Sequence, residues 1–239
     1  MIAVEIAVQD AAGARTAFEH GADRVELCQA LAETGGLTPS AGTIDAVCEA
    51  AGGGRVAVLV RPRPGGFVYD AEEIALVAAD LRDCVRRGAG GVVVGALRPD
   101  GGIDRDAMRR WKEAAGDAEF VFHRAIDALA DPASVIDELA ELGTDRVLTS
   151  GGAARSIDGI EVLAALARQA AGRLQIMSGG GVRVEDIPDL VSAGIDAVHL
   201  SARVRSADEA PSGPGGGVMG FDVTEPAIVA AAVRAVRGV

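Results

Sequence analysis

One short motif occurs four times in this chain and constrains its fold more than anything else in the sequence: a glycine, a brief turn, and a strand-like run opening on valine. The copies are Gly21-Ala22-Asp23-Arg24-Val25, Gly88-Ala89-Gly90-Gly91-Val92, Gly143-Thr144-Asp145-Arg146-Val147 and Gly194-Ile195-Asp196-Ala197-Val198. A glycine just past a helix supplies the left-handed conformation that ends it, so each copy reads as a helix-to-strand joint. Four further runs dense in β-branched residues, at 2–8, 55–61, 119–125 and 174–178, bring the predicted strands to eight. They alternate with helical patterns at about 10–20, 40–51, 71–87, 104–115, 132–142, 157–171, 185–193 and 225–237. Such alternation implies a parallel sheet, and eight units in 239 residues predict an α/β fold, a single (β/α)8 TIM barrel spanning 1–239. A doubly wound sheet would usually carry a G-x-G-x-x-G turn after its first strand, and residues 8–14 have none.

Composition narrows the partners. No apolar run approaches the ~20 residues of a membrane span. The net charge of −12, from 35 acidic and 23 basic side chains, argues against nucleic acid or an anionic membrane as partner. An anionic ligand would therefore need a local basic pocket. Lys112 is the sole lysine and lies mid-helix, which disfavours Schiff-base chemistry. Three cysteines without a C-x-x-C pair, and an N-terminus without a basic leader, predict a reducing cytoplasmic location.

In a barrel of this type, chemistry sits in the loops after the carboxyl ends of the strands. The unusual residues cluster in those loops, including 35–40, 61–67, 97–104, 149–152, 178–182 and 211–217. Strand side chains alternate between faces, so parity selects what points inward. Ile2, Val4, Ile6 and Val8 form a bulky outer face, leaving Ala3, Glu5 and Ala7 inside. The same reading turns inward Glu26 and Cys28, Arg61, His123, Gln175 and Met177, and His199 with Ser201. Two carboxylates, two imidazoles and a guanidinium at one mouth are costly without water or mutual pairing. They predict either general acid/base chemistry or buried ion pairs such as Glu26 with Arg61 or Glu5 with an arginine.

The run Ser178-Gly179-Gly180-Gly181-Val182, followed by a helix from about Glu185, has the form of an anion cradle to which Ser201 could add a hydroxyl. A plain tight turn is the alternative. Cys48 falls on the helical stripe of Ile44, Val47 and Ala51, and Cys84 on that of Val77 and Leu81, so both read as core. Cys28 is inward and near the mouth, where Met177, His123 and His199 could complete a soft metal site.

Six segments carry a resemblance: RVELCQALAETGGLTPS (24–40), RPRPGGFVYDAEE (61–73), GVVVGALRPDGGID (91–104), FHRAID (122–127), VLTSGG (147–152) and IMSGGGV (176–182). On these the chain resembles the CutC family of copper homeostasis proteins over almost its whole length. The resemblance implies a cytoplasmic (β/α)8 barrel, often a homo-oligomer, that binds copper as Cu(I) through cysteines falling here on Cys28 and Cys48. The stretch 211–217 is where the chain departs from the family pattern. Residue chemistry suggests instead an enzyme acting on a phosphate- or carboxylate-bearing small molecule. Its expected catalytic set is Glu5, Glu26, Arg61, His123, Arg124, Asp127 and His199, with His123 or Glu26 as acid or base and Arg61 and Arg124 as anion clamps.

Overall fold

The computed structural model describes residues 2–52, 54–206 and 220–238, so the glycine-rich stretch 211–217 lies outside the described residues. Eight strands close into a barrel in chain order. They are β1 (Ala3–Val8), β2 (Arg24–Leu27), β3 (Val56–Leu59), β4 (Gly91–Val94), β5 (Glu119–Phe122), β6 (Arg146–Thr149), β7 (Gln175–Gly179) and β8 (Ala197–Leu200). All neighbouring pairs are parallel, and β8 returns to β1 with His199 opposite Glu5. The (β/α)8 TIM barrel expected from the alternation is the fold observed.

The fourfold joint has a physical explanation. In three copies the aspartate makes the same two-bond clasp on the start of the preceding strand. The carboxylates of Asp23, Asp145 and Asp196 accept from the backbone N–H of Val4, Phe120 and Ile176, each at 2.8 Å. Their own N–H groups donate back to the carbonyls of those same residues. In the remaining copy Gly90 makes only the return bond, to the Val56 carbonyl. A Cβ there would stand 2.1 Å from the Gly54 carbonyl oxygen, so no aspartate fits. The motif thus registers β1 with β2, β3 with β4, β5 with β6, and β7 with β8.

Helices cover the outside. The main ones are α1 (Ala11–Glu19), α3 (Ala41–Ala51), α4 (Ala71–Arg86), α5 (Arg105–Ala115), α7 (Ile160–Ala170) and α9 (Pro226–Arg237), with the short α2 (Leu31–Thr34), α6 (Ile136–Glu141) and α8 (Ile187–Ser192) between them. Each long helix buries one stripe. In α5 it is Ala107, Met108, Trp111 and Ala115, and the buried Trp111 indole donates to the Ile74 carbonyl at 3.0 Å. Each large apolar side chain so buried contributes roughly 1.5–3 kcal/mol. Inside the barrel a second, smaller core stacks Cys28, Ala57, Leu59, Val93, Val121, Leu148, Met177 and Ala197.

The strands are shorter than predicted. β3 ends at Leu59 and β5 at Phe122, so Arg61 and His123 stand just beyond their strands, at the mouth. The helix expected from Glu185 is a 3-10 turn, Val184–Asp186, with α8 beginning at Ile187. After β8 the chain adds an antiparallel pair, β9 (Arg203–Arg205) and β10 (Asp222–Thr224). Among the described residues no helix is long and apolar enough to cross a membrane.

Candidate active site at the barrel mouth

The site is built on the β8–β1–β2 seam. The fully buried Glu5 receives the His199 Nδ1 contact at 2.7 Å. The other Glu5 oxygen pairs with Arg24 Nε at 2.5 Å. His199 Nε2 then lies 3.9 Å from the Glu26 carboxylate. Gly179 on β7 makes room for this imidazole, because a Cβ there would meet the His199 Cβ at 3.1 Å and the Leu148 side chain closer still. Burial raises the Glu5 carboxyl, but the Arg24 charge and the His199 hydrogen bond and charge outweigh it and hold it at about 2. Burial pushes the Glu26 carboxyl up to about 7, and the neighbouring Glu5 charge adds to this against the pull of His199. Burial alone would lower His199, yet the Glu26 charge and the Glu5 hydrogen bond raise it. One carboxylate stays ionised while the other shares a titrating proton with the imidazole between them.

Glu26 and His199 open onto a cavity of about 490 Å³, whose wall also includes Arg61, Phe67, His123, Arg124, Gly180, Gly181, Ser201 and Arg203. Arg61 is spent largely on the protein. Its Nη1 donates to the carbonyls of Thr34 (2.9 Å) and Gly36 (3.3 Å), and its Nη2 to that of Gly65 (2.6 Å). This ties the loop after β2 to the loop after β3. His123 accepts the Ala125 N–H on Nδ1 at 3.2 Å. Burial and the Arg61 charge drop the imidazole to about 3, so it is neutral in the working range. Arg124 reaches the cavity with its side chain 43% exposed, its Nε on Asp127 at 2.7 Å and its Nη2 on Ser150 at 3.0 Å. Its guanidinium lies against Gly180, where a Cβ would come within 2.8 Å of Cζ.

Several expected site residues lie elsewhere. Asp127 does not line the cavity. It is a loop hub that accepts from the Thr149 hydroxyl and from the Ser150 and Gly152 N–H groups, and thereby fixes Arg124. Ser178 faces away from the cavity, since its neighbours Met177 and Gly179 point inward. Its hydroxyl is buried without a hydrogen-bond partner among the described residues. Gly179 serves packing, and of the expected cradle Gly180, Gly181, Val182 and Ser201 reach the cavity wall. The start of α8 is not part of that wall.

The two cysteines offered as copper ligands are not brought together. Cys28 is in the inner core, its thiol 3.8 Å from the Val8 carbonyl, whereas Cys48 on α3 is in the outer core between helices and strands. Burial and the Glu26 charge raise the Cys28 thiol far above the ordinary range, which opposes the thiolate a soft metal needs. Met177 lies below, its sulfur taken by Arg146 Nη1 at 3.7 Å. A different donor set does converge, with one atom each of Glu5, Glu26 and His199 within 4.8 Å of one another. Oxygen and imidazole donors suit a divalent ion better than Cu(I). Two features escaped the sequence reading. Arg24, the partner of Glu5, has the same parity as Glu26 and could have been found by extending the alternation one step back. Phe67 could not, because nothing local sends it over the mouth.

Comparison with known proteins is consistent across sequence and structure. The CutC family profile matches residues 2–204. A CutC family protein of Xanthomonas campestris pv. campestris is 46% identical over 205 residues, covering 84% of this chain and 83% of that protein. Its counterpart in Xanthomonas axonopodis pv. citri is 46% identical over 212 residues, 87% of each. The crystal structure of a candidate copper homeostasis protein CutC from Streptococcus agalactiae superimposes with a TM-score of 0.78 at 31% identity, covering 83% of this chain and 98% of that one. With a profile match over most of its length and relatives well above 30% identity, the chain belongs to the CutC family.

Proposed function

We propose that the barrel mouth binds a small anionic molecule and exchanges a proton with it, Glu26 and His199 handling the proton while Arg124 and the Gly180-Gly181 backbone hold the negative group. The observation that carries this reading is the Glu5–His199–Glu26 line opening onto a cavity with a partly exposed arginine on its wall. An ionised Glu5 fixes the imidazole, and Glu26, poised at about 7, can both take and return a proton near neutrality. The test is a thermal-shift screen of phosphorylated and carboxylated metabolites, in which a bound anion raises the midpoint by mass action. Arg124→Ala should remove the shift. Glu26→Gln should keep the shift but abolish exchange of the bound compound's acidic hydrogen with deuterated solvent.

Membership in the CutC family supports a copper homeostasis role by name. A second reading follows, copper binding at the mouth, favoured by the three donor atoms of Glu5, Glu26 and His199 within 4.8 Å of one another. In this reading Glu5 orients His199 from behind while the imidazole Nε2 and Glu26 face the ion. The three free cysteines fit a reducing cytoplasm. Stoichiometric copper retention lost in His199→Ala, together with a flat response to every anion, would favour this reading over the first. Copper retention dependent on Cys28 would instead restore the Cu(I) thiolate site.

A further inference from the structure

Two buried donors at the mouth are left over by everything described so far. His123 Nε2 and Arg61 Nε have no hydrogen-bond partner among the described residues, although His123 and Arg61 are only 6% and 8% exposed. Leaving such groups unsatisfied is costly, and in native proteins an orphaned buried donor usually has a reason. Both side chains belong to the wall of the same cavity and both touch the ring of Phe67. The His123 ring centroid is 4.8 Å from the Phe67 centroid, and the Arg61 guanidinium carbon 5.1 Å from it.

The geometry fixes what each can offer. A backbone N–H only donates, so the Ala125 contact makes His123 Nδ1 an acceptor and puts the imidazole's single proton on Nε2. His123 is therefore a neutral donor, not a base. Three of the five N–H groups of Arg61, all on its terminal nitrogens, go to the carbonyls of Thr34, Gly36 and Gly65, and the same guanidinium has a side-chain hydrogen bond with Tyr69. The buried donors at the mouth left without a partner among the described residues are then the Arg61 Nε–H and the His123 Nε2–H. A pair of single donors suits one oxygen with two lone pairs, and their shielding from water strengthens any bond to charge developing on it.

We propose that Arg61 Nε–H and His123 Nε2–H form a subsite for a single carbonyl oxygen, so that the ligand is a carbonyl compound whose anionic group lies toward Arg124. The Phe67 ring, in contact with both donors' side chains, is the element that yields to admit the oxygen. This rests on Glu26 and His199 as the proton-handling pair. The carbon–hydrogen bond next to the carbonyl gives its proton to the Glu26 carboxylate, and its electron pair becomes a carbon–carbon double bond. The carbonyl π pair moves onto oxygen, which the two donors hold as an enolate. Return of the proton to carbon completes the cycle without a co-reactant.

Oxalate, planar and rich in carbonyl-type oxygens, is the probe. The chain has three histidines, so nitrogen-15 labelling of histidine gives a tractable spectrum. His123 should show a protonated Nε2 and an unprotonated Nδ1 from about pH 5 to 8, and saturating oxalate should move the Nε2–H resonance downfield. His123→Leu should weaken oxalate by about tenfold or more, whereas His123→Gln, which retains an N–H, should stay within about threefold. A proton on Nδ1, a His123 that titrates near the ordinary imidazole value, an Nε2–H unmoved by bound oxalate, or no oxalate binding at millimolar concentration would each overturn the proposal. Glu26→Gln separates the two claims. It should leave the oxalate response of His123 in place, so loss of solvent exchange without loss of that response concerns the proton pair, and the converse concerns the subsite.

Discussion

Arginine closes the floor of the barrel and arginine lines its mouth, but the two ends use it differently. At the floor, Arg24 bridges Glu5 and Glu119, and Arg146 spans Glu119 and the Met177 sulfur, so that charges from β1, β2, β5 and β6 neutralise one another across the interior. At the mouth, Arg61 and His123 each retain a buried donor without a partner among the described residues, and Glu26 sits unionised or ionised according to pH. The floor resembles a finished structure, with each charge answered by another. The mouth holds groups without partners among the described residues, as expected of the end of a barrel where ligands bind.

That contrast can be broken by deleting charge at either end. Arg24→Met strips the fully buried Glu5 of its main counter-charge and should cost about 3–5 kcal/mol, read from the urea midpoint. Glu26→Gln deletes a buried charge that the fold does not fully compensate, and should leave stability at pH 7 unchanged or raise it. A large loss in Glu26→Gln, or a negligible one in Arg24→Met, would remove the distinction.

Acid and base should act on the two carboxylates in opposite directions. Glu5 is held at about 2, below its ordinary 4.5, so its contribution is present above pH 4.5 and lost as pH falls toward 2. Glu26 is raised to about 7 and His199 is raised with it, so theirs is present in mild acid and lost as pH rises through neutrality. Stability measured by urea should therefore decline by on the order of 1 kcal/mol between pH 5 and 8, and Glu26→Gln should flatten that decline. The smallest expected effect is at a joint. Asp145→Ala removes one clasp bond to Phe120 and should cost about 1–2 kcal/mol without altering ligand response at the mouth.

Much of this was legible in the sequence because both signals involved are strictly periodic. The glycine joints mark where each even-numbered strand begins, and a side-chain period of two gave Glu5, Glu26, Arg61, His123 and His199 their common direction. Ser178-Gly179 looks like loop in the sequence, whereas β7 runs through Gly179 and alternation turns the serine outward. The place of Asp127 is hidden from local pattern for a different reason. Its partners are 22 to 25 residues away and belong to the loop after β6, a relation that no local pattern encodes. The helical stripe placed Cys48 correctly in the core, while family resemblance put it among the ligands.

The clasped joints also bear on how the chain assembles. Each aspartate clasp closes across only 19 to 25 residues, and short closures are entropically cheap and fast. Early formation of contiguous quarters is thereby favoured, whereas the β8–β1 seam must join residues 194 apart before His199 can meet Glu5. The His199–Glu5 contact straddles this long-range junction, so the mouth depends on it. Under gentle denaturation, ligand response should disappear at a lower urea concentration than the helical circular dichroism signal, leaving an open horseshoe of quarters that has secondary structure but no reactive centre.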